Sequence, residues 1–491
     1  MKLSELCARA GIHCPREKSD LWITSVTCDS RKARPGTLFV CLPGTKKDRN
    51  NKTLDGRRYA SDAMEKGCAA VLYDSPDASE GELFSSDPLY DMARLCKAFY
   101  GDRIERARLV GVTGTNGKTT VVSMLRSIAT YDGLRCGTVG TLGCTSSCDG
   151  IAEKYTPLMK TMTTPDPELL YPMLSEMANG GDELIFMEAS SHALARKKLS
   201  SLEFEVGIFT NLTRDHFDFH LTEENYLAAK ACLPPLCRRF IVNSDDTHHE
   251  KICRSALRCS LTADTDFNVR SLEYTRGGGF SCVFCGRGES FYVESSLIGE
   301  YNVMNALESA ACALTLGIPP KSIAEGIKNF KGAPGRCERI LYDPDKSISV
   351  YIDYAHTPDS LEHLLVSMRR IAGDGKLTLL FGCGGERDTG KRKSMGIIAS
   401  AYADFTVVTS DNPRNEDPRE IINGILRGID KEKPYTVIES RIDAIRYVIK
   451  EAVPGETIVL AGKGHEKYEI DRTGIHPFDE SAIVISEWRK K

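Results

Sequence analysis

The densest chemistry in the chain lies in LVGVTGTNGKTTVVSML, residues 109–125. An apolar run, a glycine-rich turn and a helical pattern follow one another there. That order lets a strand deliver backbone N–H groups and a helix N-terminus to an anion. Lys118 adds a cation for the terminal phosphates of a nucleotide, and the Thr119 hydroxyl is spaced to hold Mg2+. The strict phosphate-loop pattern has glycine five residues before Gly117, where this chain has Val112, so the loop is a variant. Gly114, Thr115, Asn116, Gly117, Lys118, Thr119 and Thr120 are therefore the predicted contacts to ATP or GTP. A guanine-reading N-K-x-D is absent downstream, which disfavours a switch-type GTPase.

Two later apolar runs end in groups of metal-ligand type. LIFMEASSH stops at Glu188, and IFTNLTRDHFDFH carries His216 and Asp218. If both are strands of a parallel sheet, their ends face the side of the phosphate loop, where a carboxylate can hold Mg2+ or orient a nucleophile. Taken singly, His192, His216 and His220 read as turn histidines, and Lys230 in NYLAAKACL reads as a solvated helix lysine. In VVTSDNPRNEDP an apolar run stops at a turn that exposes Arg414, at the kind of position where function collects.

These residues need rigid elements behind them. At 491 residues the chain is too long for one core, and about 150 residues per domain suggests three. Residues 1–100 mix short strands (GTLFVCLPG, CAAVLYD) with helices and turns. From residue 101 strands alternate with helical stretches, through LVGVTG, DELIFMEAS, FEVGIFTNL and RRFIVNSD, the pattern of a parallel sheet. A hairpin-like section occupies residues 265–298, and NVMNALESAACALTLG reads as a helix. NFKGAPGRCER marks a second boundary near 333, after which ISVYIDYAH, KLTLLFGCGG, FTVVTSD and ETIVLAGKG are strand candidates. The expected fold class is α/β, with ligands at the C-terminal strand ends.

Composition agrees with an ordinary globular protein, 41% apolar and 27% charged. A formal charge of −4 argues against a nucleic-acid partner. The start lacks an apolar signal region and no run nears the roughly 18 residues of a membrane span, so a cytosolic protein is expected. The eighteen cysteines are scattered. Cys282 and Cys285 form one C-x-x-C without a second pair, so reduced thiols acting as small hydrophobes are expected.

GVTGTNGKTT, MEASSH, TNLTRDHFDFH, GEYNVMNALES, DYAHTPDSLE, FGCGGERDTGKR, SDNPRNEDP and AGKGHE occur in that order after an N-terminal CDSRKARPGTLFVCLPG. Over essentially its whole length the chain resembles a Mur ligase, and within that family the members that add diaminopimelate. The resemblance implies three domains: an N-terminal domain (1–100) for the uridine nucleotide, a central phosphate-loop ATPase (101–333) and a C-terminal Rossmann-like domain (334–491) for the amino acid, which closes over ATP. It implies a monomer that joins meso-diaminopimelate to the D-glutamate γ-carboxylate of UDP-MurNAc-L-Ala-D-Glu through an acyl phosphate, with ATP as co-substrate and Mg2+.

Residue roles follow by motif. Ser30, Thr163, Thr164, Ser190 and Lys198 would contact the UDP-sugar peptide. Asn302, Asn305, Arg336 and Asp353 would meet ATP. Lys230 stands where the family carries a carbamylated lysine, an anion that could join Thr119, Glu188 and His216 at magnesium. Arg387, Asp411, Asn412, Pro413, Arg414, Gly462 and Glu466 would read the amino acid. An Arg guanidinium matches a carboxylate bidentately, which favours diaminopimelate over lysine. The plain alternative is a surface ion pair of Arg414 with Asp411 or Glu416, worth about 0–1 kcal/mol. Two stretches depart from the family. SSHALARKK, with Ala193, Arg196 and Lys198, varies among relatives, and TKKDRNNKTLDGRRYA lengthens the loop before Asp55.

Overall fold

The structure is a computed structural model that describes residues 1–44, 55–74, 82–159, 162–275 and 277–491. The lengthened stretch before Asp55 lies outside the described residues. The chain forms two compact units: Met1–Thr113 with Gly133–Ile208 and Ala229–Phe240, and Gly114–Asp132 with Phe209–Ala228 and Ile241–Lys491.

In the first unit, strands Ser25–Thr27, Thr37–Val40, Ala70–Tyr73 and Leu83–Phe84 form an all-parallel sheet in that order. Phe39, Cys41, Ala60, Ala63 and Val71 make a core on it. A second group of strands holds one of the catalytic candidates, Glu188. Arg108–Thr113 pairs in parallel with Leu184–Glu188, which pairs on its other side with Cys136–Gly140. Every residue of Leu184–Glu188 is buried, which is why the sequence shows a continuous apolar run and no alternation. The register sets Val112 opposite Glu188. The acid therefore lies level with the strand residue two places before the phosphate loop.

In the second unit, strands Phe267–Tyr274, Phe280–Gly286 and Glu289–Ser295 form an antiparallel meander, one strand more than a hairpin. Cys282 and Cys285 lie three apart on one strand, so they point to opposite faces and cannot chelate together. All eighteen cysteines are thiols, and among the described residues no disulfide forms. Nor, among those residues, is any helix long and apolar enough to cross a membrane.

The second unit also contains a six-stranded sheet in the order Glu338–Asp343, Ile348–Asp353, Thr457–Ala461, Leu377–Phe381, Phe405–Val408, Tyr435–Val437. All its pairings are parallel except at the Glu338–Asp343 edge. Helices cover both faces. Leu361, Leu365 and Met368 pack on one side, and Ala444, Ile445 and Val448 on the other. Asp353 is paired with Ala461, Ala461 with Phe381, and Phe381 with Val408, so four strands end flush. The loops that follow these ends carry the predicted amino-acid readers, at the edge where open parallel sheets bind ligands.

One core group stands out. Glu308, inside helix Glu300–Leu316, is 0% exposed, and among the described residues neither carboxylate oxygen has a hydrogen-bond partner. Burial, reinforced by Asp246, pushes its pKa well above the carboxylate range, so it sits neutral in the core.

Candidate active site

The phosphate loop explains its glycines. Gly114 has φ +154°, and a Cβ there would lie 1.8 Å from Thr210 Oγ1. Gly117 has φ +89°, and a Cβ would lie 2.5 Å from Asn305 Oδ1. Helix Lys118–Tyr131 begins directly afterwards. Lys118 Nζ donates to the carbonyls of Gly114 and Thr115, each at 2.8 Å, so its ammonium arches back over the turn. Thr119 Oγ1 accepts from Arg336 Nη2 at 3.3 Å, while Thr120 is buried in the same first turn.

A second segment holds this loop in shape. Asn211 Oδ1 accepts from Asn116 N at 2.9 Å, and Thr210 Oγ1 donates to Asn116 O at 2.6 Å. Thr115 N donates to Asn211 O, and Thr213 N to Thr115 Oγ1. Thr210, Asn211 and Thr213 escaped the residue-level reading, although they stand inside the quoted TNLTRDHFDFH. Polar residues that brace a loop about 95 positions away give no local signal. The usable clue was three side-chain-bonding residues within four positions, interrupted by Leu212, after an apolar run.

Asn305 Nδ2 donates to Asn302 Oδ1, whose own amide donates to Ile298 O. Asn305 therefore faces the loop directly, with Asn302 behind it. Arg336 stacks 4.4 Å from the Tyr354 ring, and among the described residues its buried Nε has no hydrogen-bond partner. Asp353 accepts from the backbone of Cys337 and Ala355, both at 2.6 Å, and burial raises its pKa.

His216 is half exposed at φ +57° and lies 3.3 Å from Asp215 Oδ2, which His356 also approaches at 3.6 Å. Burial pushes Asp215 up, but His216 and His356 outweigh it and hold the carboxyl well below its usual range. Asp215 and His356 are further residues missed from sequence. His220 is buried against the Tyr226 ring at 5.0 Å, a packing role.

In the first unit, Glu188 accepts from Thr141 N at 2.8 Å and Thr141 Oγ1 at 3.1 Å. Gly140 leaves room for it, since a Cβ there would lie 2.3 Å from Glu188 Oε1. Thr164 Oγ1 donates to Glu188 O and to Ser190 Oγ, and Thr163 meets Thr141. Lys198 Nζ lies 2.9 Å from Asp166 and donates to Thr164 O. Thr163, Thr164, Ser190 and Lys198 thus converge around the acid. Ser30 opens a short helical turn capped by Asp29. Glu168 fastens that region to the Thr164 segment by accepting from Thr27 Oγ1, Cys28 N and Lys32 Nζ. Lys230 ends helix Glu223–Lys230 and is 1% exposed, so it is not a solvated helix lysine.

At the flush strand ends, Arg414 adopts φ +55° and its Nη1 donates to Gly385 O at 2.7 Å and Asn412 O at 3.3 Å. Glu416 pairs instead with Arg392, at 2.6 and 2.8 Å, so that route to a surface ion pair for Arg414 is closed. Burial, then Arg387, lowers the pKa of Arg414, as expected of two cations facing one region. Arg387 lies 3.5 Å from Asp218. Asp411 accepts from Asn412 N, and Gly462 at φ +113° passes close to its carboxylate. Glu466 accepts from Asn412 Nδ2 at 2.7 Å and Tyr354 OH at 3.4 Å, and burial with Asp411 raises its pKa. His465 is pushed down to about 4 by burial and Arg336. Beneath both loops Arg441, with a side chain 0% exposed, donates to Glu480, Ala461 O and Ser410 O.

Comparison with known proteins then places the chain. The Mur ligase middle-domain model matches residues 112–313, and the Mur ligase glutamate-ligase-domain model matches 335–464. A curated relative from Trichormus variabilis is 38% identical, over 98% of this chain and 97% of its own. The chain belongs to the Mur ligase family. That relative, and another from Clostridium acetobutylicum at 38% identity over 96% of this chain and 95% of its own, are UDP-N-acetylmuramoyl-L-alanyl-D-glutamate–2,6-diaminopimelate ligases. A solved structure of a ligase of that description superposes with a TM-score of 0.70 at 30% identity, covering 100% of this chain and 99% of its own. The Mur ligase fold extends further: MurF from Thermotoga maritima, solved with ADP, reaches a TM-score of 0.60 at 15% identity over 96% of this chain and 98% of its own. As a Mur ligase, the chain has the expected α/β architecture, with a central phosphate-loop region and a C-terminal doubly covered sheet.

Proposed function

We propose that this Mur ligase uses ATP to join meso-2,6-diaminopimelate to the D-glutamate γ-carboxylate of UDP-MurNAc-L-Ala-D-Glu. Beyond the full-length relatives, the observation that carries this reading is Arg414, poised among Arg387, Asn412 and Glu466 while Glu416 is held by Arg392. A fork of N–H donors suits the distal carboxylate of diaminopimelate and repels the distal cation of lysine.

The γ-phosphoryl of ATP passes to the glutamate carboxylate, giving an acyl phosphate. Lys118 and the loop N–H groups of Gly114–Thr120 stabilise the charge spread over the transferring oxygens. Asn305, Arg336 and Asp353 hold the nucleotide, with Asn302 behind Asn305. Ser30, Thr163, Thr164, Ser190 and Lys198 hold the UDP-sugar peptide. Arg387, Asp411, Asn412, Arg414, Gly462 and Glu466, on the turn that Pro413 stiffens, present diaminopimelate so that the amine of its L-centre attacks and phosphate departs.

Among the described residues no three His, Cys, Asp or Glu side chains cluster as a metal cage. That suits Mg2+, which takes one or two carboxylates and completes its shell with phosphates and water. Thr119, Glu188, His216 and a carbamylated Lys230 are the proposed holders, and the ion supplies neutralisation of phosphate charge. The three-domain division at residues 100 and 333 is part of the proposal: one sheet ends at Phe84 and another starts at Glu338, while helix Pro88–Ile104 runs through the first boundary. A cytosolic monomer completes the proposal, to be checked by light scattering and cell fractionation.

The test combines purified protein, UDP-MurNAc-dipeptide, ATP and a panel of diamino acids, with mass spectrometry of the product. Oxygen-18 placed in the glutamate carboxylate should appear in the released phosphate. A lysine adduct formed in preference, or unlabelled phosphate, refutes the proposal.

A further inference from the structure

Lys463 lies in AGKGHE between the two residues expected to read the amino acid, and it is 0% exposed. Its Nζ donates to Asn412 Oδ1 at 2.9 Å and Tyr468 O at 3.0 Å, stands 3.5 Å from Asp411, and lies 5.1 Å from the centroid of the Phe478 ring. A buried ammonium is costly unless hydrogen-bonded, and these acceptors meet that demand. Ile470 N donates to the same Asn412 Oδ1 at 3.0 Å.

An asparagine amide has one accepting end and one donating end. Two donors converging on Oδ1 allow a single orientation, which places Nδ2 at 2.7 Å from Glu466 Oε2. Reversed, the amide would turn N–H groups toward an ammonium and an oxygen toward a carboxylate. The other oxygen of Glu466 accepts from Tyr354 OH, so the carboxylate is aimed by two donors and keeps lone pairs for a third.

We infer that Lys463 is a positioning residue of the amino-acid site: acting through Asn412, it holds the Glu466 carboxylate in the orientation that receives an ammonium group of the diamino acid. This rests on the reading of Glu466 in the preceding subsection.

Lys463→Met keeps the length and apolar stem and removes the ammonium. The KM for meso-diaminopimelate should rise about 10- to 100-fold, the scale of a hydrogen bond to a charged group, while the KM values for ATP and UDP-MurNAc-dipeptide stay within about twofold. Asn412→Asp keeps both acceptor bonds and loses the donor to Glu466, so it should raise the same KM. The double variant should add little to either single change. An unchanged diaminopimelate KM in folded Lys463→Met, or a parallel rise in all three KM values, overturns the inference. Should Lys463→Met fail to fold by circular dichroism, Asn412→Asp decides, and an unchanged KM again overturns it. Wild-type turnover of a different diamino acid in place of diaminopimelate overturns only the substrate reading, and the KM comparison is then made with that amino acid.

Discussion

Replacing Arg414 with alanine removes a guanidinium with two edges in different use. Nη1 is committed to Gly385 O and Asn412 O, and the Nε–Nη2 edge is the one that a carboxylate meets bidentately. Losing a charge-assisted interaction of that kind costs about 2–3 kcal/mol, or roughly 30- to 150-fold in kcat/KM. The two backbone carbonyls also lose their donor, at about 1 kcal/mol each, and that part affects every amino acid equally. Arg414→Lys separates the effects. It keeps the charge and the left-handed backbone but not the fork, so about a tenfold loss is expected. The assay is phosphate release with diaminopimelate or lysine as the varied substrate. For Arg414→Ala, kcat/KM should collapse for diaminopimelate and not for lysine, because a repelled distal cation gains when the guanidinium goes. Equal falls for both, or an unaltered preference, would refute the assignment of Arg414 as reader.

Three other outcomes follow from the geometry. Gly117→Ala should weaken ADP binding by calorimetry about tenfold or more, since a left-handed backbone costs a non-glycine residue about 1–2 kcal/mol and the new Cβ meets Asn305; unchanged affinity would count against the tight loop. Glu168→Ala severs the bonds to Thr27, Cys28 and Lys32 and should raise the KM for the UDP substrate about tenfold with the ATP KM unmoved, whereas a joint rise would mean general unfolding. Glu308→Leu should stabilise the chain by about 1–3 kcal/mol at pH 8, by removing an unsatisfied buried acid. Because the folded pKa of Glu308 lies above the unfolded value of about 4.3, the unfolded chain loses its proton first as pH rises, so wild-type stability falls upward from that pH. The gain in Tm should therefore shrink near pH 4.5, and a variant less stable than wild type at pH 8 would contradict this account.

The parallel strands were legible because strands buried on both faces read as unbroken apolar runs, as Leu184–Glu188 does. Reading the ends of those runs also pointed to Glu188, at the end of its strand, and to Arg414, on the turn beyond Val408. Supporting residues were not legible. Thr210 and Asn211 hold backbone atoms at Asn116, and Asp215 draws in a histidine about 140 positions later, pairings that leave no periodicity. Lys463 was hidden for a different reason, since a lysine beside glycines and a glutamate looks exposed until the sheet buries it. Lys230 shows the limit of residue-type priors: helical spacing could not tell a solvated lysine from one that is 1% exposed.

If the loops after Ser410 and Ala461 read the amino acid as proposed, Arg441 gives helix Glu480–Trp488 a say in selectivity. Its guanidinium joins the Ser410 and Ala461 carbonyls, at the starts of the two loops, to Glu480 in helix Glu480–Trp488. Trimming that helix would strand a cation under the loops, a loss of about 3–5 kcal/mol when a buried partner is removed. A shortened or bulky-tagged C-terminus would then blur which amino acid is accepted, without altering one residue that touches it.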